Sequence, residues 1–246
     1  MPRFFLPPDS WADEAWLIGD EAKHLSQVLR IRTGETVTVF DGNGRCAEAT
    51  VTEVTRDRAR LELGTVLEAP AITPSIALAF AIPKGKNMDL VVQKAVELGV
   101  SKIQPLVTRR TIVQPGEGKA EKWRRVALEA CKQCGLDHLP EVAEPLAFGE
   151  WLAKRSSADF ALIASLAPGA RSMREVVRSE DFSAVTVLIG PEGDFTPEET
   201  TAALAAGFHP ITLGANVLRA ETAALFCLSA LRYESADARP TLPTDG

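Results

Sequence analysis

The sequence predicts a two-part α/β chain, a small β-barrel followed by a mostly parallel sheet covered by helices. Three observations predict it. Period-two alternation fills the first third, continuous apolar runs of strand length follow, and amphipathic stretches lie between those runs.

In the first third, Thr36–Phe40 alternates, Asp41-Gly-Asn-Gly44 supplies a turn, and Ala47–Val54 and Ala59–Leu63 alternate again. A short helix is expected over Asp20–Leu29. Short strands and a tight hairpin within roughly 70 residues suit a small barrel. Pro70-Ala-Ile-Thr-Pro74 punctuates the chain, so two domains are expected, 1–70 and 71–246. Beyond Pro74 the runs Ile76–Ile82, Ile103–Val107, Phe160–Ala164, Val185–Ile189 and Ile211–Leu213 are apolar on both faces, as strands of a covered parallel sheet must be. Met88, Val91, Val92, Ala95 and Val96 repeat at helical spacing, and so do Trp123, Val126, Ala127, Ala130, Cys131 and Cys134. Thr196-Pro-Glu-Glu199 reads as a capping box that starts a helix.

Composition narrows the function classes. With 46% hydrophobic and 24% charged residues in 246, the chain is an ordinary globular protein rather than a disordered one. No run approaches a membrane span, and the first ten residues hold no apolar stretch of signal-peptide length, so a cytoplasmic protein is expected. Four cysteines in a chain this long make no disulfide framework, and reduced thiols follow. The net charge of −6 argues against a polyanionic partner, but its distribution does not. Between Ile82 and Cys134 eleven basic residues stand against five acidic ones, a local +6. Such a stretch suits a phosphate-binding face, and a solvated helix face accounts for it equally.

Val185–Ile189 runs into Gly190-Pro-Glu-Gly-Asp194, and the capped helix follows. In open α/β sheets ligands sit beyond the carboxyl ends of strands, and glycine lets backbone groups approach them closely. The spacing is not that of a dinucleotide fingerprint, and Glu192 opposes a phosphate. A cofactor bearing a positive charge and an adenine edge fits backbone carbonyls better. A second loop, Gly214-Ala-Asn216, follows Ile211–Leu213 and leads into a helix with Arg219 and Glu221 at its start. Each loop alone also reads as a tight strand-to-helix turn; together they point to one shared site. Cys131-x-x-Cys134 with His138 resembles a metal spacing. Both cysteines share the helix face of Trp123, Val126 and Ala130, so buried packing and no metal are expected. Gly116-Glu-Gly-Lys119 is half a Walker sequence without its context and reads as a loop.

Leu188-Ile-Gly-Pro-Glu-Gly193, followed by Leu213-Gly-x-x-Val-Leu-Arg-x-Glu-Thr-Ala223, resembles the RsmE family of 16S ribosomal RNA uridine methyltransferases, in the knotted SPOUT class. The resemblance covers nearly the whole chain. It includes Arg3-Phe-Phe5, His24-Leu-x-x-Val-Leu-Arg30, Phe40-Asp-Gly42, Lys84-Gly-x-x-Met88, Gln93-Lys-x-x-Glu-Leu-Gly99 and Glu129-Ala-x-x-Gln-Cys-Gly135. It implies a PUA-like barrel that helps bind RNA, then a SPOUT methyltransferase domain with a C-terminal trefoil knot. It also implies a homodimer and S-adenosylmethionine as cofactor. The implied reaction is methylation of N3 of one uridine in the decoding region of 16S ribosomal RNA, within the small ribosomal subunit. The implied cofactor residues are Leu166, Ile189, Gly190, Pro191, Gly193, Leu213, Gly214, Val217, Leu218 and Thr222. The family commonly has Gly where Asp194 stands, Arg where Asn216 stands, Thr where Ala220 stands and Arg where Leu136 stands.

For catalysis, Arg219 is expected to stabilise the uridine anion. Glu221 serves as base, orients Arg219, or simply places favourable charge at a helix N-terminus. RNA affinity is expected from Lys84, Lys86, Arg109 and Arg110 together with Arg3, Arg30 and Arg32. Phe4 and Phe5 either stack on bases or fill the barrel core. Two other readings fit the same residues: a SPOUT methyltransferase of another RNA site, and an RNA-binding ribosome assembly factor with little or no chemistry.

Overall fold

Alternation in the first third builds a five-stranded mixed sheet from β1 (Arg3–Phe5), β2 (Ala15–Ile18), β3 (Thr36–Phe40), β4 (Arg45–Val54) and β5 (Arg58–Glu68). The computed structural model describes residues 1–246 apart from Asp13, Lys86, 156–159, Pro168 and 236–246. The chain divides into two units, Met1–Ala71 with Arg125–Pro140, and Ile72–Arg124 with the chain from Glu141 onward. The first unit is thus discontinuous in sequence. The proline punctuation at Pro70–Pro74 carries no sign of that return.

In the first unit the strand order is β1-β3-β4-β5-β2, with β1 parallel to β3 and the other pairs antiparallel. Register shifts at Ala47/Ala49 and Val51/Glu53 bend β4, and the sheet curls as a half-barrel around Phe4, Leu6, Leu17, Leu25, Val37, Val39, Val51 and Leu61. The helix expected over Asp20–Leu29 is α1 (Gly19–Lys23) continued by a π-helical turn, His24–Val28, in which Leu29 N–H reaches His24 O at 2.9 Å. Phe4 is fully buried and meets His24 edge-on at 5.9 Å. Phe5 meets Phe40 edge-on at 5.8 Å. Both rings pack within the unit, which favours the core reading over base stacking.

The β3–β4 turn is held by one carboxylate. Asp41 is 3% exposed. Its Oδ1 accepts from Asn43 N (2.7 Å) and Arg45 N (3.0 Å), and its Oδ2 faces Arg45 Nε at 2.7 Å. Gly42 and Gly44 take φ of +79° and +106° there, which a side chain would strain. Burial favours the neutral acid, but the Arg45 hydrogen bond, the two backbone N–H groups and the Arg45 charge together outweigh it. The carboxyl is therefore held below its ordinary value of 3.8. A depressed folded-state pKa contributes stability above 3.8 that is lost as pH falls through the lower folded value. Asp41→Asn is expected to lose about 1–3 kcal/mol at neutral pH and to flatten the acid limb of the stability curve. Urea melts at pH 7 and pH 3 measure this; equal losses in both proteins between those pH values would assign the acid limb to other carboxylates.

The second unit begins with β6 (Ser75–Ala81), α2 (Asn87–Glu97), β7 (Lys102–Val107) and the start of α3 (Lys119–Cys134). It continues with β8 (Glu141–Val142), β9 (Leu146–Ala147), α4 (Phe148–Lys154), β10 (Phe160–Ala164), β11 (Arg171–Ser172) and α5 (Met173–Arg178). It ends with β12 (Ala184–Ile189), α6 (Pro197–Ala205), β13 (His209–Thr212) and α7 (Ala220–Ser235). The sheet order is β11-β13-β10-β12-β6-β7-β8, with β9 also on β7, and the pairs are parallel. The apolar runs predict this arrangement because central strands bury both faces. Along α2 the buried residues are the five expected ones, Met88, Val91, Val92, Ala95 and Val96. Helix α7 packs on α2, β12 and β6. Since β10 lies between β12 and β13, the carboxyl ends of three strands stand side by side. Ile163 pairs with Leu188 on one flank and Ala164 with Ile211 on the other.

Among the described residues no helix is long and apolar enough to cross a membrane. Cys131 is buried, with its thiol pushed up to about 12 by burial. Cys134, the last residue of α3, is exposed, which corrects the reading that buried both cysteines. The His138 ring bonds elsewhere, its Nε2 lying 3.0 Å from Ala69 O and 3.1 Å from Pro70 O. No group of three or more His, Cys, Asp or Glu among the described residues is placed to hold a metal ion.

Candidate functional site

At the end of β12 the chain must turn sharply into α6. Asp194 N–H closes the turn on Pro191 O at 2.9 Å. Asp194 has φ +61°, the left-handed region where glycine is unstrained and Asp is among the tolerated residues. Its Oδ1 accepts from Phe195 N at 2.8 Å, so the carboxylate stabilises locally the conformation that glycine adopts freely. Phe195 turns inward, 5% exposed, onto Phe148 at 5.5 Å between centroids. The expected capping box then forms, with Glu199 N on Thr196 Oγ1 at 3.2 Å and Thr196 N on Glu199 Oε2 at 3.0 Å. A Cβ added at Gly190 would stand 3.0 Å from the Phe195 ring. Gly190→Ala is therefore expected to displace that ring, cost about 1–3 kcal/mol and deform the loop. Thermal melting together with ligand titration measures both effects; an unchanged melt would show that the ring relocates freely.

The loops after β10, β12 and β13, with the start of α7, enclose a cavity of about 420 Å³. Volumes of this order suit a small-molecule cofactor. Leu166, Ile189, Gly190, Pro191, Gly193, Leu213, Gly214, Val217 and Leu218 line it, and Arg219 stands there too. Thr222 is not on the wall. Helix α7 presents Ala220 and Ala223 to the cavity, and a residue two positions beyond Ala220 points away. Glu192, Asp194, Asn216 and Ser165 also line it. Glu192, Asp194 and Asn216 lie in the two glycine loops that the sequence marks as one site, although the residues implied by the resemblance did not include them. Glu192 and Asp194 give the wall negative charge and Arg219 gives it one cation. Such a wall favours a ligand that carries a cationic centre. Leu166 and Val217 are 64% and 76% exposed at the cavity, apolar surface that a flat apolar group can cover.

Arg219 caps α7, its carbonyl accepting from Ala223 N at 2.8 Å. The residue is exposed, and no side-chain partner holds it among the described residues. Glu221 is placed differently. It lies in the first turn of α7 and its Oε1 accepts from Asn87 Nδ2 at 3.2 Å, away from the cavity wall. This geometry does not support the general-base expectation and matches the helix N-terminus reading.

The basic residues fall into distinct settings. Arg30 and Arg32 are exposed on the first unit. Arg3 is not free, since its guanidinium pairs with Asp137 at 2.5 Å, donates to Leu136 O at 3.4 Å and lies over Phe40 at 5.0 Å. Its guanidinium is thus engaged within the unit. On the second unit Lys84 and Arg109 are exposed; Lys84 N–H donates to Glu192 at 3.3 Å, and Arg109 N–H to Glu199 at 2.8 Å. Arg110 donates into the glycine loop, to Gly193 O and to Phe195 O at 3.4 Å. Lys86, also expected to contact RNA, lies outside the described residues.

A family model described as an RNA methyltransferase domain matches residues 71–232, and one described as an RNA methyltransferase PUA domain matches residues 17–64. A ribosomal RNA small subunit methyltransferase E from Synechocystis sp. is 35% identical over 208 residues, covering 84% of this chain and 68% of the relative. The protein of the same name from Bacillus subtilis is 27% identical over 229 residues, covering 89% and 90%. The crystal structure of a ribosomal RNA small subunit methyltransferase E from Neisseria gonorrhoeae, bound to S-adenosyl methionine, aligns with a TM-score of 0.87 at 34% identity. It covers 95% of this chain and 98% of that one. Half-barrel, parallel sheet and matched sequence agree, and the chain belongs to the ribosomal RNA small subunit methyltransferase E family, with a PUA domain followed by an RNA methyltransferase domain.

Proposed function

We propose that this protein transfers the methyl group of S-adenosylmethionine to N3 of one uridine in the decoding region of 16S ribosomal RNA. In this reading it acts in the cytoplasm as a homodimer on the small ribosomal subunit, and its C-terminal segment threads a trefoil knot. The observation that carries the proposal is the cavity where three parallel strands end together, walled by an acid-bearing glycine loop. A relative of 34% identity is bound to S-adenosyl methionine.

The residues fit that cofactor. Glu192 and Asp194 suit its cationic centres, exposed Leu166 and Val217 suit the adenine ring, and the glycines leave backbone groups open to it. When bound, it supplies an electrophilic methyl group. Uridine N3 holds its proton at neutral pH, with a pKa roughly two to three units too high, so forming the anion costs about 3–4 kcal/mol. The N3 proton leaves to water, and Arg219, without a side-chain partner among the described residues at the cavity, stabilises the anion that remains. Arg30, Arg32, Lys84 and Arg109 neutralise phosphates, and the target base leaves its stack to reach the cavity.

Titration of S-adenosylmethionine into the purified protein tests the reading. Saturable binding with one site per chain is expected. Absence of binding would leave an RNA-binding assembly factor without chemistry.

A further inference from the structure

Arg110 is exposed and basic, in a segment that reads as a phosphate-binding face, yet its guanidinium is turned onto the glycine loop. It leaves β7 in the turn Thr108–Thr111, which is fixed from within. The two buried threonine hydroxyls lie 2.9 Å apart, and Thr108 N–H donates to Thr111 Oγ1 at 2.9 Å. Two ties run from this turn to the loop. Arg109 N–H donates to Oε1 of the buried Glu199 at 2.8 Å, while Oε2 of the same carboxylate accepts from Thr196 N at 3.0 Å. Arg110 donates to Gly193 O and, at 3.4 Å, to Phe195 O. Its stem lies against Gly193, where an added Cβ would meet Arg110 Cδ at 3.3 Å.

The two carbonyls flank Asp194, the residue with φ +61°. One guanidinium nitrogen, Nη1, therefore bridges both carbonyls around the loop's left-handed turn, and a lysine ammonium, one bond shorter in reach, does not span the same gap. The wall Gly190–Asp194 faces the cavity on its other side. A wall that is not ordered beforehand must be ordered at the moment of binding, and affinity falls accordingly. We propose that Arg110 is a positioning residue that holds the Gly190–Asp194 loop in its ligand-ready shape, and is not a contact to RNA phosphate. This rests on the cavity being the S-adenosylmethionine site.

The test compares wild-type protein with Arg110→Met, which keeps the stem and deletes the bridging nitrogen, and Arg110→Lys, which keeps the charge on a shorter reach. KM for S-adenosylmethionine, KM for RNA and kcat are measured for each, with calorimetric titration of S-adenosylmethionine alongside. In Arg110→Met the cofactor KM is expected to rise about tenfold with the RNA KM within about twofold, and lysine restores only part of the loss. An unchanged cofactor KM overturns the proposal, whether or not the RNA KM rises, and so does full rescue by lysine. If Arg110→Met does not fold, Arg110→Lys decides alone, through a raised cofactor KM at unchanged RNA KM. No cofactor binding by the wild type removes the site reading and this proposal with it. Normal wild-type binding with insensitive variants removes this proposal only.

Discussion

Arg219→Ala is expected to lower kcat by about 100–1,000-fold, the range found when one preorganised donor to a developing anion is removed. The magnitude follows from the reaction. In the proposed reaction, forming the uridine anion costs about 3–4 kcal/mol at neutral pH, and a single guanidinium in a partly enclosed cavity supplies about that much. Arg219 stands at the cavity and caps α7 through its backbone carbonyl, which alanine retains, so the helix start should survive the substitution. S-adenosylmethionine affinity is expected to stay near wild type, because the cofactor walls are otherwise untouched. The pH profile adds a second readout. Without Arg219 the reaction depends on spontaneously ionised uridine, so the residual rate should climb about tenfold per pH unit toward the nucleobase pKa. The wild-type rate should climb less steeply. Single-turnover kinetics at several pH values measure this. Wild-type turnover at unchanged RNA affinity would move the anion-stabilising role to another group.

The largest stability effect is expected at Arg232. On α7 its guanidinium donates to Leu98 O at 3.0 Å, to Pro74 O at 2.8 Å and to Gly99 O. Those carbonyls belong to the end of α2 and to the start of the second unit, so one side chain ties the last helix to the first strand–helix pair. Burial pulls the pKa of Arg232 below its ordinary value. Arg232→Ala removes the donor to all three carbonyls. The expected loss is about 2–4 kcal/mol, a fall in Tm of roughly 5–15 °C. Arg232→Lys is expected to recover part of it, since one ammonium cannot span all three acceptors. Because Ala220 and Ala223 on the same helix face the cavity, cofactor binding should weaken as the melt approaches and be near normal well below it. A Tm within 2 °C of wild type, roughly the effect of 1 kcal/mol or less, would mean that water replaces the guanidinium without penalty.

What local pattern encodes was legible in the sequence. The apolar runs at Ile76–Ile82 and Val185–Ile189 mark strands β6 and β12 because strands buried on both faces must be apolar on both. Thr196, Pro197 and Glu199 mark the start of α6 because capping is a contact within four residues. The two glycine loops identified most of the cavity wall, since a strand followed by glycine and a helix is itself local. The rest depends on partners distant in the chain. Arg3 meets Asp137 across 134 residues, so a basic residue that reads as an RNA contact is an internal ion pair. Glu221 meets Asn87 across the same span. Arg110 meets Gly193 across 83 residues. Charge composition counts such residues as free, because it records the side chain and not what neutralises it. Thr222 lies off the cavity lining, because a motif gives position along α7 whereas helix rotation decides which residues face the cavity.

Small ribosomal subunits from cells lacking this protein, incubated with it and isotopically labelled S-adenosylmethionine, then digested and mapped by nucleoside mass spectrometry, test the central claim most directly. The account predicts label in 3-methyluridine at one position in the decoding region of 16S ribosomal RNA. Label on a different nucleoside or atom, or none despite cofactor binding, would contradict it.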